Sequence, residues 1–191
     1  MENISIKDWL VLKKAFKSVN NIITLETALS FVDFLRERGL ISEGQCLAAK
    51  NVLRSQSANT NGYDVHICDD TTKVIAEVKC NSPVGGTNSF GSNQKDEIIK
   101  DLRGLQQRKP KAQNICVAEY AKFMVLLLEC ADVIKAMHKL LEKLGTITEN
   151  VSLEDGLNPE LIYIVYIDPV SISKSIVESV RLNEPLPAKS K

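Results

Sequence analysis

Asn61-Gly62-Tyr63-Asp64-Val65-His66-Ile67-Cys68, then Asp69-Asp70-Thr71-Thr72, then Lys73-Val74-Ile75-Ala76-Glu77-Val78-Lys79-Cys80 is the stretch that decides the fold. Two short runs rich in β-branched residues flank a polar Asp/Thr segment, the pattern of a β-hairpin. With Asp69 to Thr72 as the loop, Cys68 faces Lys73 and Ile67 faces Val74. Carrying that register along the ribbon pairs Asp64 with Glu77. Directly opposed residues share a face, with Cβ atoms about 5 Å apart. Lys79 lies two residues beyond Glu77 and so shares that face, while Val74, Ala76 and Val78 point to the other.

Outward from the hairpin, the chain alternates helical and strand-like segments. Upstream, Ile6, Trp9, Leu10, Leu12 and Phe16 recur at helical spacing, and Trp9 reads as core rather than as part of a nucleic-acid-reading helix. Asn20-Asn21 then reads as a break, Thr24 as the N-cap of a second helix with Leu25, Ala28, Leu29, Val32 and Leu35 as its stripe, and Gly39 as its C′ residue. Ser42 with Gln45 has capping-box spacing and opens a third helix running to about Ser55, followed by a polar connector to Asn61. Downstream, Ser82 to Ser92 reads as a loop and Asn93 to Gln107 as a helix with Ile98, Ile99, Leu102 and Leu105 buried. Arg108 to Gln113 reads as a basic loop, and Lys122 to Glu129 as a buried strand. Ala131 to Leu144 reads as a helix ended by Gly145, and Leu161 to Ile167 as a strand stopped by Asp168-Pro169. The expected order is ααα–β–β–α–β–α–β, a mixed α/β single domain. It divides into an N-terminal helical part (1–41), a core (42–170) and a loose tail (186–191).

The chain has 191 residues, 44% of them hydrophobic, and a formal net charge of zero. That balance excludes a uniformly basic nucleic-acid coat but not a locally basic groove. The longest apolar run, Phe123 to Leu128, is far short of the roughly 20 residues of a membrane span. The first residues lack the basic-then-apolar pattern of a signal peptide. The five cysteines form no C-x-x-C pair, and with two histidines they make no usual zinc set, so reduced and mostly buried thiols in a cytoplasmic protein are expected. No G-x-S-x-G, G-x-G-x-x-G or H-E-x-x-H occurs, which leaves serine hydrolysis, nicotinamide binding and zinc proteolysis without support.

The chemistry concentrates on the polar residues of the hairpin. Two adjacent carboxylates in an apolar strand repel each other, and desolvation adds to the cost of ionising both. A hard divalent cation between them removes that cost, and Mg2+ commonly takes one or two carboxylates with phosphate oxygens and water. Lys79 adds positive charge beside it. Together these parts suit metal-assisted hydrolysis of a phosphodiester.

Asp64, with Glu77-Val78-Lys79 after a hairpin, resembles the D…(D/E)-x-K signature of the PD-(D/E)XK nuclease superfamily, which includes many restriction endonucleases. The position before the acid, Pro in that signature, is Tyr63. The resemblance implies a restriction-endonuclease-like mixed sheet flanked by helices, with an α–β–β–β–α–β core compatible with Ser42 to Asp168. It also implies an Mg2+-dependent DNA endonuclease for which Mn2+ can substitute. Asp64 and Glu77 are then the metal ligands and Lys79 the catalytic lysine. A further acid comes from a preceding helix in some members; Glu43 is the nearest, with Glu26 and Glu37 as alternatives.

Gln94 sits where some relatives carry a helix residue near the site, and Lys95, Lys100 and Arg103 belong to a locally basic stretch suited to phosphate. Cutting both strands of a duplex calls for a homodimer. Two other readings are a non-catalytic nucleic-acid-binding module that keeps the fold, and an unrelated α/β protein whose Glu77 and Lys79 form a surface ion pair. His66 reads as a bystander and His138 as a surface residue.

Overall fold

The computed structural model describes residues 6–55, 62–85, 87–146, 148–153, 156–168 and 170–182, apart from the side chains of Asp8 and Trp9. The packing of Trp9, the connector at 56–61, Pro169 and the tail at 186–191 therefore lie outside the described residues. The elements are α1 (Ile6–Glu37), α2 (Glu43–Ser55), β1 (Val65–Cys68), β2 (Lys73–Lys79), α3 (Ser92–Gln107), β3 (Ala121–Leu127), α4 (Ala131–Lys143), β4 (Thr148–Asn150), β5 (Ile162–Ile167) and β6 (Ile176–Val180). They build an α/β fold around a six-stranded mixed sheet of order β1-β2-β3-β5-β6-β4. The central β2, β3 and β5 run parallel, while β1 is antiparallel to β2, and β6 is antiparallel to both β5 and β4.

Strand alternation splits the core in two. Val74, Ala76 and Val78 of β2 join Phe123 and Val125 of β3 against Phe31, Val32 and Leu35 of α1 and Cys46 and Ala49 of α2. Ile75 of β2 joins Met124 and Leu126 against Ile98, Leu102 and Leu105 of α3 and Met137 and Leu140 of α4. Each face of the sheet is thus covered by a pair of helices, as parallel strands buried on both sides require.

The hairpin has the expected register: Val65 opposes Ala76, His66 opposes Ile75, Ile67 opposes Val74 and Cys68 opposes Lys73. Asp69 builds the turn, its Oδ1 accepting from Thr71 N at 2.9 Å and Thr72 N at 2.8 Å. Ser42 and Gln45 form the reciprocal cap of α2, with Ser42 N donating to Gln45 Oε1 at 2.7 Å and Gln45 N to Ser42 Oγ at 3.2 Å. Gln45 Nε2 then reaches Asp69 Oδ2 at 2.5 Å, tying the helix start to the hairpin tip.

The structure departs from the expected pattern in several places. Asn20-Asn21 breaks nothing, and the first two expected helices are one helix of 32 residues. Thr24 is not an N-cap: its Oγ1 donates to Asn20 O at 2.9 Å, one turn back within the helix. Asn in a helix interior costs well under about 1 kcal/mol, too little to stop a helix whose far half is packed on the sheet. Among the described side chains, Val11, Phe16, Val19 and Ile22 are exposed, so this part of α1 lacks the core contacts of its far half.

Downstream, β4 and β6 add two strands to the expected set, and the sheet extends past residue 170. Two strands rather than three precede α3 among the described residues. Of the five cysteines only Cys46 is buried, while Cys68, Cys116 and Cys130 are exposed, so the thiols are not mostly buried. No helix among the described residues is long and apolar enough to cross a membrane.

Candidate active site

Glu77 and Lys79 leave the sheet on the face of Ile75, where α3 crosses, and Asp64 stands one residue before β1 at the same end of the ribbon. Asp64 N donates to Ala76 O at 3.1 Å, although Ala76 is already the partner of Val65, so the ladder slips by one residue here and the expected direct pairing of Asp64 with Glu77 is not formed. The Asp64 carboxylate turns back, Oδ2 accepting from Val78 N at 2.9 Å. Asp64, Glu77 and Lys79 all line one cleft of about 610 Å³, closed on its other side by Glu97, Lys100, Asp101, Arg103 and Gly104 of α3 and by Arg108 to Lys111 of the following loop.

Inside the cleft the charges alternate. Lys79 Nζ is paired with Asp101 Oδ2. Lys109 Nζ lies 2.9 Å from Asp101 Oδ1 and 2.6 Å from Glu77 Oε1. Glu77 is only 2% exposed and Asp101 only 4%. Burial, then the neighbouring Asp64 and Asp101, push the Glu77 carboxyl up to about 8, with Lys109 opposing the rise. Burial also raises Asp64, against the Val78 N–H that favours its charged form. Lys109 is subject to the opposite balance: burial works against its charge, but Glu77 and Asp101 together more than offset this and hold its ammonium above the ordinary lysine range.

Local backbone sets these positions. Gly104 faces the Lys109 stem so closely that a Cβ there would sit 2.8 Å from Lys109 Cγ and 2.9 Å from its Cε. Tyr63 OH donates to Gly104 O at 2.9 Å, and the Tyr63 ring lies 5.7 Å under Lys109 Nζ. Arg108, where α3 ends, has φ of +77°, a conformation disfavoured for any residue with a Cβ. This turn sends the chain back over the cleft and aims Lys109 inward, and Arg108 Nη1 donates to Gln113 O at 3.1 Å across it.

The other residues expected at the site separate. Lys100 and Arg103 lie on the cleft wall. Gln94 and Lys95 do not line it. Gln94 caps α3, accepting from Gly91 N at 2.8 Å and donating to Ser82 O at 3.1 Å. Glu43 is exposed on α2, whose buried side packs on the opposite face of the sheet, and Arg36 Nη1 reaches its Oε2 at 3.1 Å. Glu26 and Glu37 belong to α1, on that same opposite face. His66 Nε2 lies 3.4 Å from Tyr120 OH, outside the cleft. His138 is bound at 2.7 Å to Glu178, a buried acid that also accepts from Tyr166 OH at 3.0 Å.

Asp101 and Lys109 do not stand out in the sequence as site residues. The signal for Asp101 is its place on the apolar stripe, three residues after Ile98 and four before Leu105. For Lys109 no comparable signal exists, since it is one of several basic residues in a loop.

Among the described residues, no three His, Cys, Asp or Glu side chains are grouped so as to hold a metal ion by themselves. Asp64 and Glu77 are oxygen donors of the kind a hard cation takes, and both line the cleft with carboxyls raised by burial. Comparison with family models, with curated proteins and with solved structures finds no match for the chain.

Proposed function

We propose that the chain is a divalent-cation-dependent DNA endonuclease of restriction type. One observation carries this reading: Asp64, Glu77 and Lys79 share a single cleft, and burial raises the carboxyls of Asp64 and Glu77. Such carboxyls gain most from a cation, and two of them with water and phosphate make an ordinary Mg2+ shell. Asp64 and Glu77 would hold the ion, which when bound supplies Lewis-acid polarisation of a phosphodiester and of a water beside it.

The protein's own groups do the rest. Lys79, held by Asp101, brings an ammonium to the wall of the cleft, where it meets charge developing on phosphate oxygens. Lys100, Arg103 and Lys111 line the same opening and suit the flanking phosphates of a strand. Tyr63 and Gly104 fix the floor through their hydrogen bond. Duplex cleavage by one such cleft per chain implies a two-fold homodimer on DNA.

The test incubates purified protein with plasmid and Mg2+ or Mn2+ beside Glu77→Ala and Lys79→Ala. The wild type nicks or linearises DNA and both variants lose at least about a hundredfold, the usual scale for removing a catalytic electrostatic group. Equal activity in all of them rejects the assignment.

A second reading has its own observation. Lys79 and Lys109 already neutralise Asp101 and Glu77 without any added ion. A non-catalytic nucleic-acid-binding module would keep this closed network. It would bind DNA with a steep salt dependence and show neither cutting nor calorimetric uptake of Mg2+.

A further inference from the structure

Lys109 is held from several sides. Its ammonium bridges carboxylates from a strand and a helix, at 2.6 Å from Glu77 and 2.9 Å from Asp101. Its stem fills a slot that exists only because residue 104 has no side chain. Its charge lies over the Tyr63 ring, and the left-handed turn at Arg108 points it inward.

Glu77 Oε1 lies 2.6 Å from the Lys109 ammonium, so a second cation on that oxygen would share its charge with Lys109. A divalent ion ligated by that carboxylate at about 2.1 Å would also be forced against the ammonium's charge. The two cations therefore compete for the same carboxylate.

We propose that Lys109 is a resident counter-cation, occupying the cation position beside Glu77, and that a divalent ion loads the cleft by displacing it. This rests on the cation-dependent reading above and specifies how that site is regulated. The displaced side chain swings on the loop from Arg108 to Lys111, away from Glu77 and toward the wall that carries Lys100. Arrival of the ion thus moves one positive charge away from Glu77. Asp101, relieved of Lys109, retains Lys79.

The test is calorimetric titration with Mn2+ of wild type, Lys109→Met and Glu77→Gln, paired with acetylation of wild-type lysines read by mass spectrometry. Lys109→Met keeps the stem in its slot and removes only the charge. It binds Mn2+ about tenfold more tightly than wild type, because the competing ammonium is gone. In the wild type, saturating Mn2+ raises acetylation of Lys109 severalfold while the exposed Lys17 is unchanged.

Equal or weaker Mn2+ binding by Lys109→Met, or Lys109 labelling that ignores bound Mn2+, overturns the displacement. If Lys109→Met does not fold, the labelling of wild-type protein decides alone. Mn2+ uptake that is lost in Glu77→Gln but unaltered by Lys109→Met overturns the displacement and leaves the nuclease reading standing. No uptake by either wild type or Lys109→Met removes both.

Discussion

Replacing Glu77 by Gln should flatten the protein's stability against pH, and the size of the effect follows from where the carboxyl sits. Glu77 is 2% exposed, and its carboxyl titrates near 8 when folded against an ordinary value of 4.5. Burial is the main cause, followed by the charges of Asp64 and Asp101, with Lys79 and Lys109 as the positive groups facing them. A carboxyl raised on folding binds its proton more tightly in the native state than in the unfolded one. Its contribution is therefore complete below about 4.5 and is lost as pH rises through about 8. The full interval corresponds to roughly 5 kcal/mol at about 1.4 kcal/mol per pH unit. Relaxation of the cleft and water entry reduce this to about 2–4 kcal/mol. Gln keeps the shape and removes the titration.

The assay is urea unfolding of both proteins at pH 5, 7 and 9 in EDTA, taking the difference between them so that shared titrations cancel. The variant gains on wild type by about 2–4 kcal/mol from pH 5 to 9. Mg2+ restores wild type at pH 9 and leaves Glu77→Gln unmoved. A wild-type-minus-variant difference that stays constant over that range would show that Glu77 is not strained by burial and would refute the reasoning.

Other outcomes follow from the same geometry. Gly104→Ala places a methyl 2.8 Å from Lys109 Cγ, so it should cost about 1–3 kcal/mol in urea unfolding and raise Lys109 labelling even without cation. Arg108→Gly relieves a φ of +77° and should raise stability by up to about 1 kcal/mol, net of the lost bond to Gln113; a fall in melting temperature would count against strain at this turn. Glu43→Gln, on the far face of the sheet, should leave plasmid cutting at the wild-type rate. Brief trypsin treatment should cut first at Lys13, Lys14 or Lys17, in the part of α1 without core contacts, which mass spectrometry of the fragments checks.

The hairpin is legible in the sequence because its information is local. A polar turn of fixed length sets the register, and period-two alternation puts Glu77 and Lys79 on one face, whereas Asp64 reaches the same cleft from one step out of the expected register. The same holds for the α2 cap and for the buried strands β3 and β5, whose apolar runs fit only a sheet interior. The continuity of α1 is not legible, since Asn20-Asn21 weighs against a helix locally while the packing of its second half decides the outcome. β6 escapes because Glu178 and Ser179 interrupt its apolar character, and Glu178 is tolerated there only through His138 and Tyr166. The expectation for Glu43 fails on layer, not on sequence distance: α2 lies on the side of Val74 and Ala76, and the cleft opens on the side of Ile75. Lys109 depends on a helix end, a left-handed turn and a missing side chain at residue 104 acting together, which no single stretch of sequence announces.

The borders of the sheet carry a last consequence. β1 and β4, the outermost strands, have four and three residues, so each rim exposes few unpaired amides to a passing chain. Stacking of copies edge to edge into continuous ribbons is thereby discouraged, although the central strands β3 and β5 are apolar enough to aggregate if bared. Partial unfolding that strips β6 from the sheet bares the edge of the apolar β5, whereas loss of β1 bares β2, whose Lys73, Glu77 and Lys79 oppose such pairing.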